Sequence, residues 1–176
     1  MSYILTFAGS NSKASINKQL ASYAANKIHD EEMKIVDLND YTLPLYGIDL
    51  EVKEGIPDTA NAFYNLIKES KGIVLSLAEH NGAYSSVFKN LIDWLSRIEG
   101  KFWSDKPMLL MATSPGGRGG TTVLEIASDR FPRHNANLIS TFSLPSFNEN
   151  FSENGIKDDN LNIILNEAID NFKKAL

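Results

Sequence analysis

Apolar and polar positions along this chain alternate between short apolar runs and longer stretches with apolar residues at helical spacing. The run Tyr3-Ile4-Leu5-Thr6-Phe7-Ala8 predicts a strand, residues 9–15 are polar, and Ile16, Leu20, Ala24 and Ile28 then recur every fourth residue. That spacing predicts a helix with one buried face. Beyond the polar His29-Asp30-Glu31-Glu32, residues 33–38 predict a short second strand, which completes a β-α-β unit with a right-handed crossover. Residues 39–58 carry Pro44, Gly47, Gly55 and Pro57 without a regular period and predict a long loop, a length that is usually functional or interface-forming. A helix is predicted over 59–70, capped by Asp58, with Phe63, Leu66 and Ile67 inward.

Residues 72–77 are almost continuously apolar, as in a central parallel strand covered on both faces. A loop over 78–85 leads to a helix from Ser86 whose packing face is Val87, Leu91, Ile92 and Leu95, with Trp94 beside it. A fourth strand at 108–113, a glycine-rich loop at 114–120, a helix at 121–131 and a fifth strand at 137–144 follow. The last helix starts near Asp158 and places Leu161, Leu165, Ala168, Ile169, Phe172 and Leu176 at helical spacing. Regular strand-helix alternation predicts a doubly wound α/β protein with a five-stranded parallel sheet.

Composition narrows the options. With 176 residues, 43% of them hydrophobic, and no internal repeat, a single domain over 1–176 is expected. A net charge of −5 disfavours nucleic acid or anionic membrane as a partner. The absence of cysteine removes disulfides, thiolate nucleophiles and iron–sulfur clusters, and His29, His80 and His134 lack metal-ligand spacing, so no metal site is expected. No secretory signal pattern and no apolar run of membrane-spanning length is present, which predicts a cytoplasmic protein.

Three unusual loops follow the first, third and fourth strands, and with strand order 2-1-3-4-5 all three gather at the switch point where such sheets bind ligands. In the first, Ser10, Ser12 and Ser15 bring hydroxyls to the start of a helix at Ile16-Asn17, where free N–H groups and the helix dipole favour a phosphate. Ser15 equally suits a plain helix cap. Gly116, Gly117, Gly119 and Gly120 permit close approach of something flat, and Glu79-His80-Asn81-Gly82-Ala83-Tyr84 adds amide and aromatic groups. A phosphate at one end and a planar ring at the other describe a mononucleotide such as FMN. The G-x-x-x-x-G-K-[ST], G-x-G-x-x-G and G-x-S-x-G motifs are all missing, which disfavours P-loop NTPase, dinucleotide-fingerprint and serine-hydrolase readings.

The sequence resembles the NAD(P)H-dependent FMN reductase family, the flavodoxin-like group with chromate-, quinone- and azo-reducing members. Gly9-Ser10-Asn11-Ser12-Lys13-Ala14-Ser15-Ile16-Asn17 is similar to its G-S-x-R-x-x-S-x-N loop. Ala78-Glu79-His80-Asn81-Gly82 with Phe88-Lys89-Asn90-Leu91-Ile92-Asp93-Trp94 resembles its P-E-Y-N-x and L-K-N-x-I-D-W segments, and Thr113-Ser114-Pro115-Gly116-Gly117-Arg118-Gly119-Gly120 its S-x-G-x-x-G-G loop. The resemblance implies a flavodoxin-like three-layer sandwich. It implies FMN held by Ser10, Ser12, Ser15, Ile16 and Asn17 at the phosphate, and by Glu79, His80, Asn81, Gly82, Ser114, Pro115, Gly116 and Gly117 at the ring. It also implies NADPH or NADH as hydride donor, a quinone, azo compound, flavin or similar small-molecule acceptor, and a homodimer or homotetramer. No side chain is assigned a catalytic acid or base, because the cofactor carries the chemistry. Ser12, Ala78 and His80 stand where the family has arginine, proline and tyrosine; losing the arginine removes a charge-assisted phosphate partner of about 1.5–3 kcal/mol. The loop then resembles the hydroxyl-rich loop of flavodoxins, which hold phosphate without a cation, and leaves two rival readings: an electron carrier without nicotinamide turnover, and a scaffold that has lost FMN.

Overall fold

The computed structural model describes residues 2–176. Its centre is a parallel sheet of β1 (Ile4–Gly9), β2 (Met33–Ile35), β3 (Gly72–Leu77), β4 (Pro107–Thr113) and β5 (Asn137–Leu144), in the order 2-1-3-4-5. Alternate residues of each strand point to opposite faces and meet different helices. Leu5, Phe7, Leu75 and Leu110 pack under α3 (Asp58–Glu69), α4 (Ser86–Ile98) and α5 (Thr121–Arg130). Ile4, Val74, Leu109 and Met111 pack under α1 (Ile16–Asn26) and a C-terminal helix, Asp159–Lys174. The result is the expected three-layer, flavodoxin-like arrangement.

Several local expectations are corrected. Residues 39–58 are not wholly irregular: they contain a helix, α2 (Ile48–Glu54), entered at Gly47 and ended by Gly55 with φ +78°. None of its residues is buried, so it shows no core-facing period. Instead the segment before it is moored on α4. Trp94 Nε1 donates to Pro44 O at 2.8 Å, Asn90 Nδ2 donates to Pro44 O at 3.0 Å, and Tyr46 N donates to Asn90 Oδ1 at 2.8 Å. Arg97 clasps Glu51 of α2 at 2.9 Å.

The second strand is shorter than predicted, ending at Ile35, because Asp37 accepts from Asn39 N at 2.9 Å and turns the chain into a 3-10 helix at Leu38–Asp40. Pro57, not Asp58, occupies the cap position of α3, with Asp58 in the first turn where a carboxylate suits the dipole. The buried face of α4 is Phe88, Leu91, Trp94 and Leu95, with Val87 and Ile92 on its flanks. It is turned from the predicted face because Phe88 fills the space a Cβ on Gly9 would need, its ring carbon 3.1 Å from that position.

Candidate functional site

Glycine at position 9 ends β1, and the chain then leaves the sheet through Ser10–Ser15 before α1 begins. Ser15 caps that helix, its Oγ accepting from Lys18 N at 3.1 Å. The first two helical N–H groups, of Ile16 and Asn17, have no partner among the described residues, as expected for a helix start. They point the positive end of α1 at the loop. Ser10 Oγ accepts from Ser12 N at 3.2 Å, which folds the loop back on itself, and Ser12 is exposed.

Around this loop the three strand ends form one cleft of about 190 Å³, shared by Ser10, Ser12, Ser15, Ile16 and Asn17 from the first, Ala78, Glu79 and His80 from the second, and Thr113, Ser114 and Pro115 from the third. The parallel order of β1, β3 and β4 causes this: their C-terminal ends are neighbours. Of the expected residues, Asn81, Gly82, Gly116 and Gly117 do not line it. Asn81 (φ +52°) and Gly82 (φ +72°) form the tight turn of a small hairpin in which Glu79–His80 pairs with Ala83–Tyr84. Positive φ at both central residues is the two-residue hairpin geometry for which Asn-Gly is the favoured pair. Gly116 and Gly117 are exposed on the adjoining loop; a Cβ would meet open space at Gly117 and only ordinary contact with Ser114 Oγ, at 3.9 Å, at Gly116.

Two of the side chains that line the cleft also hold it together. Asn17 is buried, with Oδ1 accepting from Thr113 N at 3.0 Å and from Ser76 Oγ at 2.7 Å, while Nδ2 donates to Thr113 O at 3.1 Å. It ties α1 to the ends of β3 and β4. Glu79 reaches the start of α5, its Oε2 accepting from Val123 N at 2.9 Å. Gly119 likewise serves the fold: at φ +59° it lets the loop pass so close to β5 that a Cβ would lie 2.4 Å from Ser143 Oγ.

Sequence reasoning missed Ser85. Buried at the start of α4, its Oγ donates to Gly9 O at 2.7 Å and accepts from Phe88 N at 3.3 Å, locking the hairpin to the phosphate-type loop. A serine directly before a helix was the available signal. Arg118 is exposed on the rim, donating to Thr122 Oγ1 at 2.8 Å. Trp94 and Trp103 are fully buried packing residues, and half-buried His134 packs on Phe102 with ring centroids 4.8 Å apart.

An open parallel sheet with its cleft at the switch point, beside a serine loop and a free helix start, defines a flavodoxin-like α/β protein. Residues 2–149 match the family model described as NADPH-dependent FMN reductase, and the chain belongs to that family. A quinone reductase of Escherichia coli (strain K12) is 34% identical over 118 residues, covering 66% of this chain and 62% of that protein. A 2-hydroxy-1,4-benzoquinone reductase of Burkholderia sp is 35% identical over 118 residues, with the same coverage. The matched region thus spans less than two thirds of these relatives. Among solved structures, the flavoenzyme NAD(P)H:(acceptor) oxidoreductase from Paracoccus denitrificans shares the fold, with a TM-score of 0.73, 22% identity and 99% of both chains covered. No helix among the described residues is long and apolar enough to cross a membrane.

Proposed function

We propose that this chain is an FMN-containing reductase that takes hydride from NADPH or NADH and passes electrons to a small acceptor, a quinone before an azo compound or free flavin. The observation that carries the reading is the cleft in which the serine loop and the two free N–H groups of α1 meet the ends of β3 and β4. The residues fit FMN at its phosphate: the N–H groups of Ile16 and Asn17 and the hydroxyls of Ser10, Ser12 and Ser15 supply donors, and no carboxylate belongs to that loop.

Chemistry supplied by bound FMN is hydride acceptance and electron release. The chain's own groups bind and orient. Glu79, His80, Ser114 and Pro115 line the side of the cleft away from the serine loop and would flank the ring, with Asn81, Gly82, Gly116 and Gly117 shaping the two turns that carry them. Arg118, exposed on the same rim, supplies a cation for the nicotinamide nucleotide. At about 190 Å³ the cleft is smaller than the ~300 Å³ at which pockets for drug-sized ligands begin, so the ring would remain accessible to donor and acceptor in turn. The proposed setting is the cytoplasm, as a homodimer or homotetramer.

Titration with FMN, followed by flavin fluorescence, and then steady-state NADPH or NADH oxidation with menadione test the reading. Saturable binding and acceptor-dependent turnover are expected. Binding without nicotinamide oxidation would make the chain a carrier; no binding at all overturns the cofactor assignment.

A further inference from the structure

The chain that leaves β5 runs beside the glycine-rich loop and holds it at several points. Thr113 Oγ1 donates to Leu144 O at 2.7 Å, and Ser143 Oγ donates to Gly119 O at 3.0 Å. Closer to the cleft, Ser146 N donates to Gly116 O at 2.9 Å and Phe147 N donates to Ser114 O at 3.0 Å. Those two carbonyls flank Pro115, which lines the cleft. Each side of Pro115 is thereby fixed from outside its own loop.

Ser146 makes its contact from the left-handed region, at φ +45° and ψ +58°. A residue with a Cβ rarely adopts that conformation, and where one does the surrounding structure has to hold it there, most often at a functional site. Here the hold comes from the single turn Phe147–Asn150 that follows. Glu149 N and Asn150 N donate to Ser146 O at 2.9 and 3.0 Å, and the buried Phe147 ring stacks on Phe151 with centroids 4.7 Å apart. A trans peptide sets its N–H opposite its C=O. Tying Gly116 O to Ser146 therefore turns the Gly117 N–H away from Ser146, and Gly117 is exposed. Neither that N–H nor the N–H of Gly116 has an acceptor among the described residues.

We infer that Ser146 is a positioning residue for the flavin: its N–H holds the turn so that Pro115 bounds the ring and the Gly116 and Gly117 N–H groups donate to the ring's edge. This role rests on the FMN reading above. Reduced flavin carries more negative charge on the ring than oxidised flavin does, so fixed donors aimed at it favour the reduced form and raise the potential.

The test measures the FMN midpoint potential, and the dissociation constants of oxidised and reduced FMN, for the full chain and its Ser146 variants. Proline has no N–H and a φ held near about −65°, so Ser146→Pro can form neither the bond nor the turn. Glycine keeps both. In Ser146→Pro, reduced FMN should lose at least about tenfold more affinity than oxidised FMN, a fall of about 30 mV for a two-electron couple, and Ser146→Gly should restore the parent's potential. Ser146→Val, which keeps the N–H but strains the turn, should move the potential the same way by less, and stands in if the proline variant does not fold. In the ¹⁵N-labelled parent, the amide proton of Gly116 or Gly117 should move when bound FMN is reduced. Equal loss of both affinities, an unchanged potential, or glycine amides indifferent to reduction overturns the role of Ser146, since a residue that serves only the fold weakens both forms alike. A parent that binds no FMN overturns the flavin reading, and this role with it.

Discussion

Position 12 isolates the phosphate question to one residue. Ser12 is exposed on the loop and lines the cleft, so an arginine there meets solvent and the ligand rather than the core. Ser12→Arg is expected to tighten FMN binding by about tenfold or more, the scale of one charge-assisted contact, measured by fluorescence titration. Unchanged affinity would place the phosphate elsewhere. Asn17 predicts the opposite kind of effect. Its amide makes three buried hydrogen bonds, and Asn17→Ala leaves the Thr113 N–H without its acceptor, so urea unfolding of the FMN-free protein should show a loss of about 2–3 kcal/mol. A loss under about 0.5 kcal/mol would deny it a bracing role. The cleft was legible because a strand, a hydroxyl-rich loop and a helix start follow one another, although Ser15 by itself suits a plain cap equally well. The division of labour was not: whether Asn17 and Glu79 face the ligand or the backbone of another loop depends on where β3, β4 and α5 end, which no local pattern carries.

Elements whose apolar face meets the sheet were legible almost to the residue, as with Gly72–Leu77 and Asn137–Leu144, because burial imposes the period. Elements that bury nothing were not. Helix α2 lies between Gly47 and Gly55, glycines that read as loop signals when no buried stripe runs between them. The hairpin was likewise hidden, since Asn81-Gly82 marks the turn but Glu79-His80 and Ala83-Tyr84 lack the alternating apolar flanks of a strand pair. Where β2 gives way to the 3-10 helix, a titratable contact takes over from the ladder. Asp37 holds Lys18 of α1 at 2.5 Å and caps Asn39 N. The Lys18 hydrogen bond, then that of the Asn39 N–H, holds the Asp37 carboxyl below its usual 3.8. A depressed carboxylate pKa means stability that is present above the unfolded value and lost as pH falls through the folded one. Asp37→Asn keeps a capping oxygen and removes only the partly exposed ion pair, so it should cost up to about 1 kcal/mol at neutral pH, a cost that fades as pH falls below the ordinary aspartate range. Denaturant unfolding at several pH values checks this; a difference that stays constant down to pH 2 would mean the charge plays no part.

For the whole molecule, the outstanding feature is apolar surface beside the site. Leu45 is 82% exposed, Val52 80% and Ile48 56%, all from the segment moored on α4. Leu45 also lines a groove of about 310 Å³ that reaches Asn11 on the serine loop, so the patch is continuous with the rim of the proposed flavin site. Clustered apolar side chains held in place by Trp94, Asn90 and Arg97 differ from scattered surface leucines: the anchoring hydrogen bonds keep them displayed, which is how interaction surfaces are marked. Self-association through this face would cover it and bring a second chain to the shallow cleft. Sedimentation equilibrium is expected to give two or four times the 19.5 kDa chain mass. Leu45→Asp combined with Val52→Asp should shift the protein to the single-chain mass, because each charge would have to be buried unpaired at the contact. Neither side chain is buried within the chain, so the unfolding of the separated monomer should remain cooperative. A parent protein that sediments as one chain, or a double variant that keeps the parent's mass, would mean that this face is covered by something else or by nothing.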